Sequence, residues 1–412
     1  MSVRDYIKQN QTALCSLLQE LVRIPTINPP GENYAEMIEL LDGKCKTLGM
    51  KTRIIKVPKR TAEQIVPNAA DYPRFNLIAR WDVGAEKTVH FNAHYDVVPV
   101  AGQWRHNDPF SGQIEGDWLY GRGADDMKDA IAALLFAIKA VQDNDISPLF
   151  NIECSFTCDE ETGGQLGAGY IVEKKLVKAD YVVSCEGGAE MNIGNGHNGA
   201  LWFEIEVMGK AAHGSHPEKG VNAFEKTAEL VSVLQRLKRR LRSPERAFIL
   251  SDGSERFPSL NLGGTFQGTE GDKVNTVPAR LSFTLDRRIT PNEKLELAEL
   301  ELMETINSAV EFYQDMNLNT QAIIRIHPCL TDTESPLAKG FADAVRTIRH
   351  RKPIFKPTTG FTDLHYFVNT GLTGIGYGPR GEGGHAINER VFIPDLVRTS
   401  AIYATFMTRT EL

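Results

Sequence analysis

The sequence predicts an α/β protein of two domains: an open sheet with helices on both faces, interrupted by a smaller βαββαβ unit. Three observations lead there. Apolar runs of strand length alternate with runs of helical period up to about residue 198, the order expected of helices covering a sheet. From 199 to 328 the order becomes strand, helix, strand, strand, helix, strand, that of a ferredoxin-like unit. From Cys329 the alternating style returns. The segments 1–198 and 329–412 are therefore expected to form one domain around an insertion at 199–328. With 412 residues, the chain is long enough for two cores.

The elements follow in order. Ile7, Leu14, Leu17, Leu18, Leu21 and Val22 recur at helical spacing and predict a helix over Tyr6–Ile24, stopped by Pro25, Pro29, Pro30 and Gly31. A second helix, Tyr34–Leu48, ends at Gly49 as a C-cap would. Strands are expected at Lys51–Val57, Phe75–Trp81 and Thr88–Val98, with the polar, proline-containing stretch 58–73 as a surface loop. Asp126 is read as opening an apolar helix through Ala130–Ile138; strand Leu149–Thr157, helix Leu166–Leu176 and strand Tyr181–Cys185 follow. In the insertion, strands are expected at Leu201–Met208, Ser259–Phe266, Ala279–Arg287 and Thr320–His327. Its helices are expected at Val221–Leu241 and Pro291–Tyr313, with Pro291 suited to a first helical turn.

Composition narrows the function classes. A chain 42% hydrophobic and 24% charged is an ordinary globular one, and a net charge of −7 leaves no footprint for nucleic acid or an acidic membrane face. The basic run Lys238-Arg239-Arg240-Leu241-Arg242 reads as a solvated helix end. No segment reaches the run of about 18 apolar residues that spans a bilayer, and the polar start Met1–Tyr6 does not read as a signal peptide. Six cysteines without CxxC spacing suggest reduced thiols and a cytoplasmic home.

Five short motifs carry chemistry. His94 and Asp96 lie two apart in an expected strand, so both would project from one face, the carboxylate fixing the imidazole tautomer. A core histidine bonded to a nearby aspartate is the plain alternative. Asp125 and Asp126 follow two glycines at a helix start, where N-capping is the competing explanation. Asp159-Glu160-Glu161 stands between an apolar strand and a double glycine. Adjacent carboxylates repel unless a cation or proton sits between them, and one can ligate metal while its neighbour shuttles protons; an exposed acidic turn is the alternative. Glu186 ends another apolar strand, and His385 follows Gly383-Gly384, where backbone can approach a ligand. Singly each is weak; together they describe a site. Mixed histidine and carboxylate ligation suits zinc, cobalt or manganese. No G-x-S-x-G competes.

On these motifs the chain resembles the co-catalytic zinc aminoacylase/carboxypeptidase family, which includes acetylornithine deacetylase, succinyl-diaminopimelate desuccinylase and glutamate carboxypeptidase. The resemblance implies a mixed-sheet, zinc-peptidase-like catalytic domain with an inserted ferredoxin-like dimerisation domain. It also implies two divalent ions per subunit, zinc foremost, with cobalt or manganese admitted. Carried over position by position, Asp126 before Met127-Lys128 would bridge the metals, His94 and Glu186 completing one shell and Glu161 and His385 the other. Glu160 would be the general acid/base, Asp96 would orient His94, and Asp125 would be a neighbour without a ligand role. His213, four before Pro217, would reach a partner subunit's site and stabilise the oxyanion; a homodimer is implied, because His213 would be far from its own metals. Asn275 and Arg288 would contact substrate, as would the loop at Gly360, while Arg287 reads as a solvent-facing strand residue.

Several positions depart from the family wording: Asn92-Ala93 before His94, Asp129 after Lys128, Gly187-Gly188 after Glu186, and Gly360-Phe361-Thr362-Asp363-Leu364-His365, which lacks the usual arginine. The expected activity is hydrolysis of the C–N amide bond of a small N-acyl amino acid or peptide. The altered loop keeps open a catabolic aminohydrolase acting on an aryl amine or heterocyclic amide. A non-catalytic metal-binding homologue is disfavoured by the retention of Glu160.

Overall fold

A computed structural model describes residues 2–66, 69–269 and 271–412. They form two compact units, one of residues 1–196, 330–358 and 362–412, the other of residues 197–329 and 359–361.

In the first unit the helices α1 (Val3–Gln9), α2 (Gln11–Val22) and α3 (Tyr34–Thr47) precede strand β1 (Lys51–Lys56). The single N-terminal helix expected from periodicity is thus two, broken at Asn10, which caps α1: its side-chain amide and its backbone N–H both donate to Tyr6 O. A short helix α4 (Lys59–Glu63) occupies the start of the expected 58–73 loop, whose residues 67 and 68 lie outside the described residues. Strands β2 (Phe75–Trp81) and β3 (Thr88–His94), helix α5 (Lys128–Asp143), strand β4 (Asn151–Thr157), helix α6 (Ala168–Glu173) and strand β5 (Tyr181–Ser184) follow.

The second unit runs β6 (Gly199–Met208), α7 (Ala223–Arg240), β7 (Ser259–Gly268), β8 (Arg280–Ile289), α8 (Leu295–Phe312) and β9 (Asn317–Ile326). Its sheet order is β7-β8-β6-β9, with every pairing antiparallel. Leu201, Phe203, Ile205 and Val207 of β6 alternate into a core closed by Leu230, Leu234 and Leu237 of α7 and by Leu302 and Ile306 of α8. Two expectations fail in this unit. Helix α8 begins at Leu295, because Glu293 turns back to accept the Thr290 N–H at 3.1 Å and holds Pro291 in a turn before the helix. Arg287 is fully buried, its Nη2 2.6 Å from Glu293 Oε1, and does not face solvent.

The chain then returns to the first unit with α9 (Pro336–Arg349), α10 (Leu364–Val368), β10 (Thr373–Gly376) and α11 (Ile393–Arg409). The six-stranded sheet has the order β1-β2-β4-β3-β5-β10. β1, β2 and β4 pair antiparallel, while β4, β3, β5 and β10 run parallel. Helix α5 is buried nearly all round, packing Ile131, Leu134, Phe136 and Ile138 between the sheet and α11. Truncating one such leucine to alanine costs about 2–5 kcal/mol. On β3, Val89, Phe91 and Ala93 alternate with His90, Asn92 and His94, so the second face is polar although wholly buried. It is satisfied by β4: His90 sits 3.0 Å from Glu153 and 2.7 Å from Ser155, and Asn92 donates to Ser155 and Thr157. This polar seam runs into His94. The six cysteines are free and buried, and no helix of the described residues is long and apolar enough to cross a membrane.

Candidate metal centre

The candidate residues collect where parallel strands end, as expected for an α/β sheet. β3 ends at His94 and not at Val98: Tyr95 N still bonds Thr157 O, but Val97 N turns away to Thr26 O. Asp96 therefore lies beyond the strand and does not share a strand face with His94. The Nδ1–H of His94 donates to the main-chain oxygen of Asp96 at 3.0 Å, with the carboxylate at 3.6 Å. That contact leaves Nε2 to face the other candidate residues, the ring orientation a metal ligand needs. Asp126 does not open the helix either. α5 begins at Lys128 with Met127 as its cap residue and no side-chain cap bond, so N-capping does not explain the aspartate.

Asp126 lies between two imidazoles. Its Oδ1 is 3.1 Å from His94 Nε2, and its Oδ2 is 3.2 Å from His385 Nε2. His385 Nε2 is also 2.9 Å from Glu161 Oε2. Donor atoms of His94, Asp126 and Glu186 lie within 4.8 Å of one another, as do those of Asp126, Glu161 and His385. Glu160 is buried, with its Oε2 3.9 Å from His94 Nε2, and is no exposed acidic turn.

The electrostatics are those of crowded acids. Burial raises the Glu160 carboxyl well above its usual range, and Glu186 nearby adds to it. Burial raises Glu161 and Glu186 as well, with Asp126 a further repulsion on each. Burial works against charge on His94, but hydrogen bonds to Asp126 and Asp96 outweigh it and hold the imidazole well above its ordinary value. Bonds to Asp126 and Glu161 lift His385 to about 10. Raised acids beside raised imidazoles are the mark of negative charge crowded together out of water. One buried oxygen, Glu186 Oε1, has no hydrogen-bond partner among the described residues. An unpaired carboxylate oxygen this deep is costly unless something cationic meets it. The donor set, the inward-facing Nε2 of His94 and this orphan oxygen fit divalent metal.

Surrounding groups fix the carboxylates. Asp96 accepts the amides of Glu160 and Glu161 at 3.2 Å each and the Asn28 side chain at 2.9 Å. Asp159 has a left-handed φ of 64° and is held by Arg74 and the Tyr34 hydroxyl, both at 2.8 Å. Lys128 is buried, its Nζ 2.7 Å from Ile24 O, and burial lowers its pKa to about 7. Asn28, Tyr34 and Arg74 were not expected from sequence, since their residue types carry no spacing signal.

The remaining candidates lie elsewhere. His213 and Asn275 are exposed in the second unit, brought close by a two-residue ladder in which His213 pairs with Thr276. His213 Nδ1 lies 2.7 Å from the Ser215 hydroxyl. Arg288 bonds Asp286 at 3.0 Å and stacks over Trp202, its Cζ 5.6 Å from the ring centre. Gly360 is exposed, in the same unit.

Comparison with known proteins follows the same lines. A succinyl-diaminopimelate desuccinylase of Dinoroseobacter shibae is 28% identical over 350 residues, covering 81% of this chain and 86% of that protein. An uncharacterized metallohydrolase of Methanocaldococcus jannaschii is 25% identical over 422 residues, covering 94% and 97%. Among solved structures, an M20 family metallo-carboxypeptidase of Sulfolobus solfataricus superposes with a TM-score of 0.76 at 23% identity, covering 95% of this chain and 97% of that one. Human carnosine dipeptidase 1 gives 0.73 at 18% identity, covering 98% of each chain. The family model for peptidase family M20/M25/M40 matches residues 90–409, which include every acid and imidazole of the centre. The chain is a metal-dependent hydrolase of the peptidase and amidohydrolase type, and it belongs to peptidase family M20/M25/M40.

Proposed function

We propose that this protein hydrolyses the C–N amide bond of a small N-acyl amino acid or peptide at a pair of divalent cations, zinc foremost. The observation that carries this is the position of Asp126, whose two carboxylate oxygens each face a different imidazole 3.1–3.2 Å away. In this reading Asp126 is shared between two ligand sets, His94 and Glu186 completing one, Glu161 and His385 the other. When bound, such cations polarise the scissile carbonyl and make water a nucleophile near neutral pH. Glu160 does the proton work: its carboxylate takes a proton from the attacking water and passes it to the departing nitrogen. Asp96 holds Glu160 in place through its backbone amide. His213 would neutralise the developing oxyanion from a partner subunit, with Asn275, Arg288 and the loop at Gly360 contacting substrate. A homodimer is part of the proposal, and a hydrodynamic mass showing a fully active monomer would exclude it. Desuccinylation by a relative over most of the chain supports an acylated amine as substrate class.

One observation favours a second reading, an aryl amine or heterocyclic amide as substrate. His365, where the family wording has arginine, is buried, and its Nδ1–H donates to the Thr362 carbonyl at 2.8 Å. The planar guanidinium fork that suits a substrate carboxylate is thus replaced by a buried imidazole bonded to its own loop.

Amine release by metal-reconstituted protein, across N-acetyl and N-succinyl amino acids, dipeptides and aryl amides, separates the two. Glu160→Ala should lower turnover by about 10²–10⁴-fold with both metals retained. A variant with undiminished turnover would remove the catalytic role of Glu160.

A further inference from the structure

Two loops of the catalytic unit, each carrying one proposed ligand, hold each other through backbone amides. Residues 121–126 carry Asp126, and residues 381–389 carry His385. Glu389 reaches from the second loop into the first. Its Oε1 accepts the backbone N–H groups of Gly123, Asp125 and Asp126 at 2.9, 2.9 and 3.0 Å, and its Oε2 pairs with the Arg122 guanidinium. Asp125 reaches the other way, its Oδ2 accepting the Gly384 N–H at 3.2 Å. The Gly121 N–H donates to the Glu389 carbonyl at 2.9 Å. Glu389 is wholly buried and Arg122 nearly so. A buried carboxylate satisfied by three amides and a guanidinium is a firm fixture, because releasing any partner leaves charge or a polar group stranded.

His385 needs such a fixture. Its side chain is 58% exposed and its backbone has a left-handed φ of 63°, so packing does little to hold the imidazole beside Asp126. The loop also has no slack at Gly381, where a Cβ would fall 2.0 Å from Asp125 Oδ1.

We propose that Glu389 and Asp125 form a reciprocal carboxylate–amide clasp that sets the position of Asp126 relative to His385. Glu389 is then a positioning residue: it belongs to neither ligand group and acts through the backbone of Asp126. The proposal rests on the reading of Asp126 and His385 as metal ligands.

The test is titration of the metal-stripped full-length chain with cobalt(II), followed by calorimetry and visible absorption. The wild-type chain should bind two ions, and His385→Ala should lose or weaken one. Glu389→Gln, which offers Arg122 an amide in place of a charge, should weaken cobalt binding about 10-fold or more and alter its spectrum. Asp125→Ala should weaken it in the same direction, and Asp125→Asn, which keeps an oxygen for Gly384, should restore most of the loss. If Glu389→Gln does not fold, the Asp125 pair carries the test. Folded Glu389 and Asp125 variants that melt earlier yet keep wild-type cobalt affinity and spectrum would overturn the clasp alone. A wild-type chain that binds no cobalt, or a His385→Ala variant that binds it unchanged, would overturn the ligand reading and the clasp with it.

Discussion

The imidazole of His94 is held by the main-chain carbonyl of Asp96, 3.0 Å from Nδ1, while the Asp96 carboxylate is turned to the amides of Glu160 and Glu161. One residue thus orients a ligand with its backbone and the acid/base loop with its side chain. Asp96→Asn should therefore keep both metals, because the carbonyl remains. It should lower kcat by about 10–100-fold, because one acceptor for the loop becomes a donor. Metal analysis beside steady-state kinetics checks this; loss of an ion in Asp96→Asn would transfer the orienting role to the carboxylate.

Gly376, at the end of β10, lies against the segment that carries Glu186. A Cβ there would fall 2.3 Å from the Glu186 carbonyl oxygen, contact only a backbone shift can relieve. Gly376→Ala should cost about 1–3 kcal/mol of stability. It should also displace Glu186, lowering the occupancy of the ion shared with His94. Denaturant unfolding and metal content measured on the same preparation test both effects.

Arg349 and Asp395 tie α9 to α11 through a buried two-pronged pair at 2.7 and 3.0 Å, with the Tyr377 hydroxyl accepting from Nε at 2.8 Å. Asp395 also accepts the Arg380 amide at 2.8 Å. Arg349→Met strands the aspartate and should destabilise the protein by about 3–5 kcal/mol. Arg349→Lys should recover only part of this, since an ammonium cannot reproduce the fork. Equilibrium unfolding of the three proteins ranks them.

Glu153 supplies the pH dependence that lies away from the metal centre. Burial works to raise its pKa, but the His90 hydrogen bond, with the Lys178 amide and Arg80, outweighs it and holds the carboxyl below its ordinary value. A depressed folded value stabilises the protein above the unfolded glutamate value of about 4.3, and that contribution disappears as pH falls through the folded value. Glu153→Gln should cost about 1–3 kcal/mol at neutral pH and flatten the loss of stability on acidification. Unfolding free energies measured across the acid range, where parallel curves would contradict the assignment, decide it.

The candidate centre was legible because its acids and imidazoles border apolar runs. His94, Glu161 and Glu186 each follow an apolar run, and Asp126 precedes one, so pattern and chemistry reinforce each other. Where the structure departs, a partner distant from the local pattern decides. Val97 and Val98 extend the apolar look of β3 past His94, but Val97 bonds Thr26 and the strand stops. Arg287 looks solvent-facing until Glu293 supplies its buried counter-charge. Glu389 is visible in the His385 motif, yet accepting three amides leaves no mark on spacing. His213, Asn275 and Arg288 lie on another unit, where neither periodicity nor burial singles them out.

The place of β10 at the edge of the six-stranded sheet has a consequence for biosynthesis. Residues 373–376 complete a sheet whose other strands end by residue 184, and α11 then covers α5 from the chain's last turns. A ribosome delivers the whole second unit between these parts, and that unit is nearly contiguous. The later-synthesised unit can therefore fold while the earlier one waits with the edge of β5 unpaired. Such an edge invites mispairing, so the nascent protein's vulnerable interval opens after Ser184 emerges and closes only when the C-terminal segment arrives.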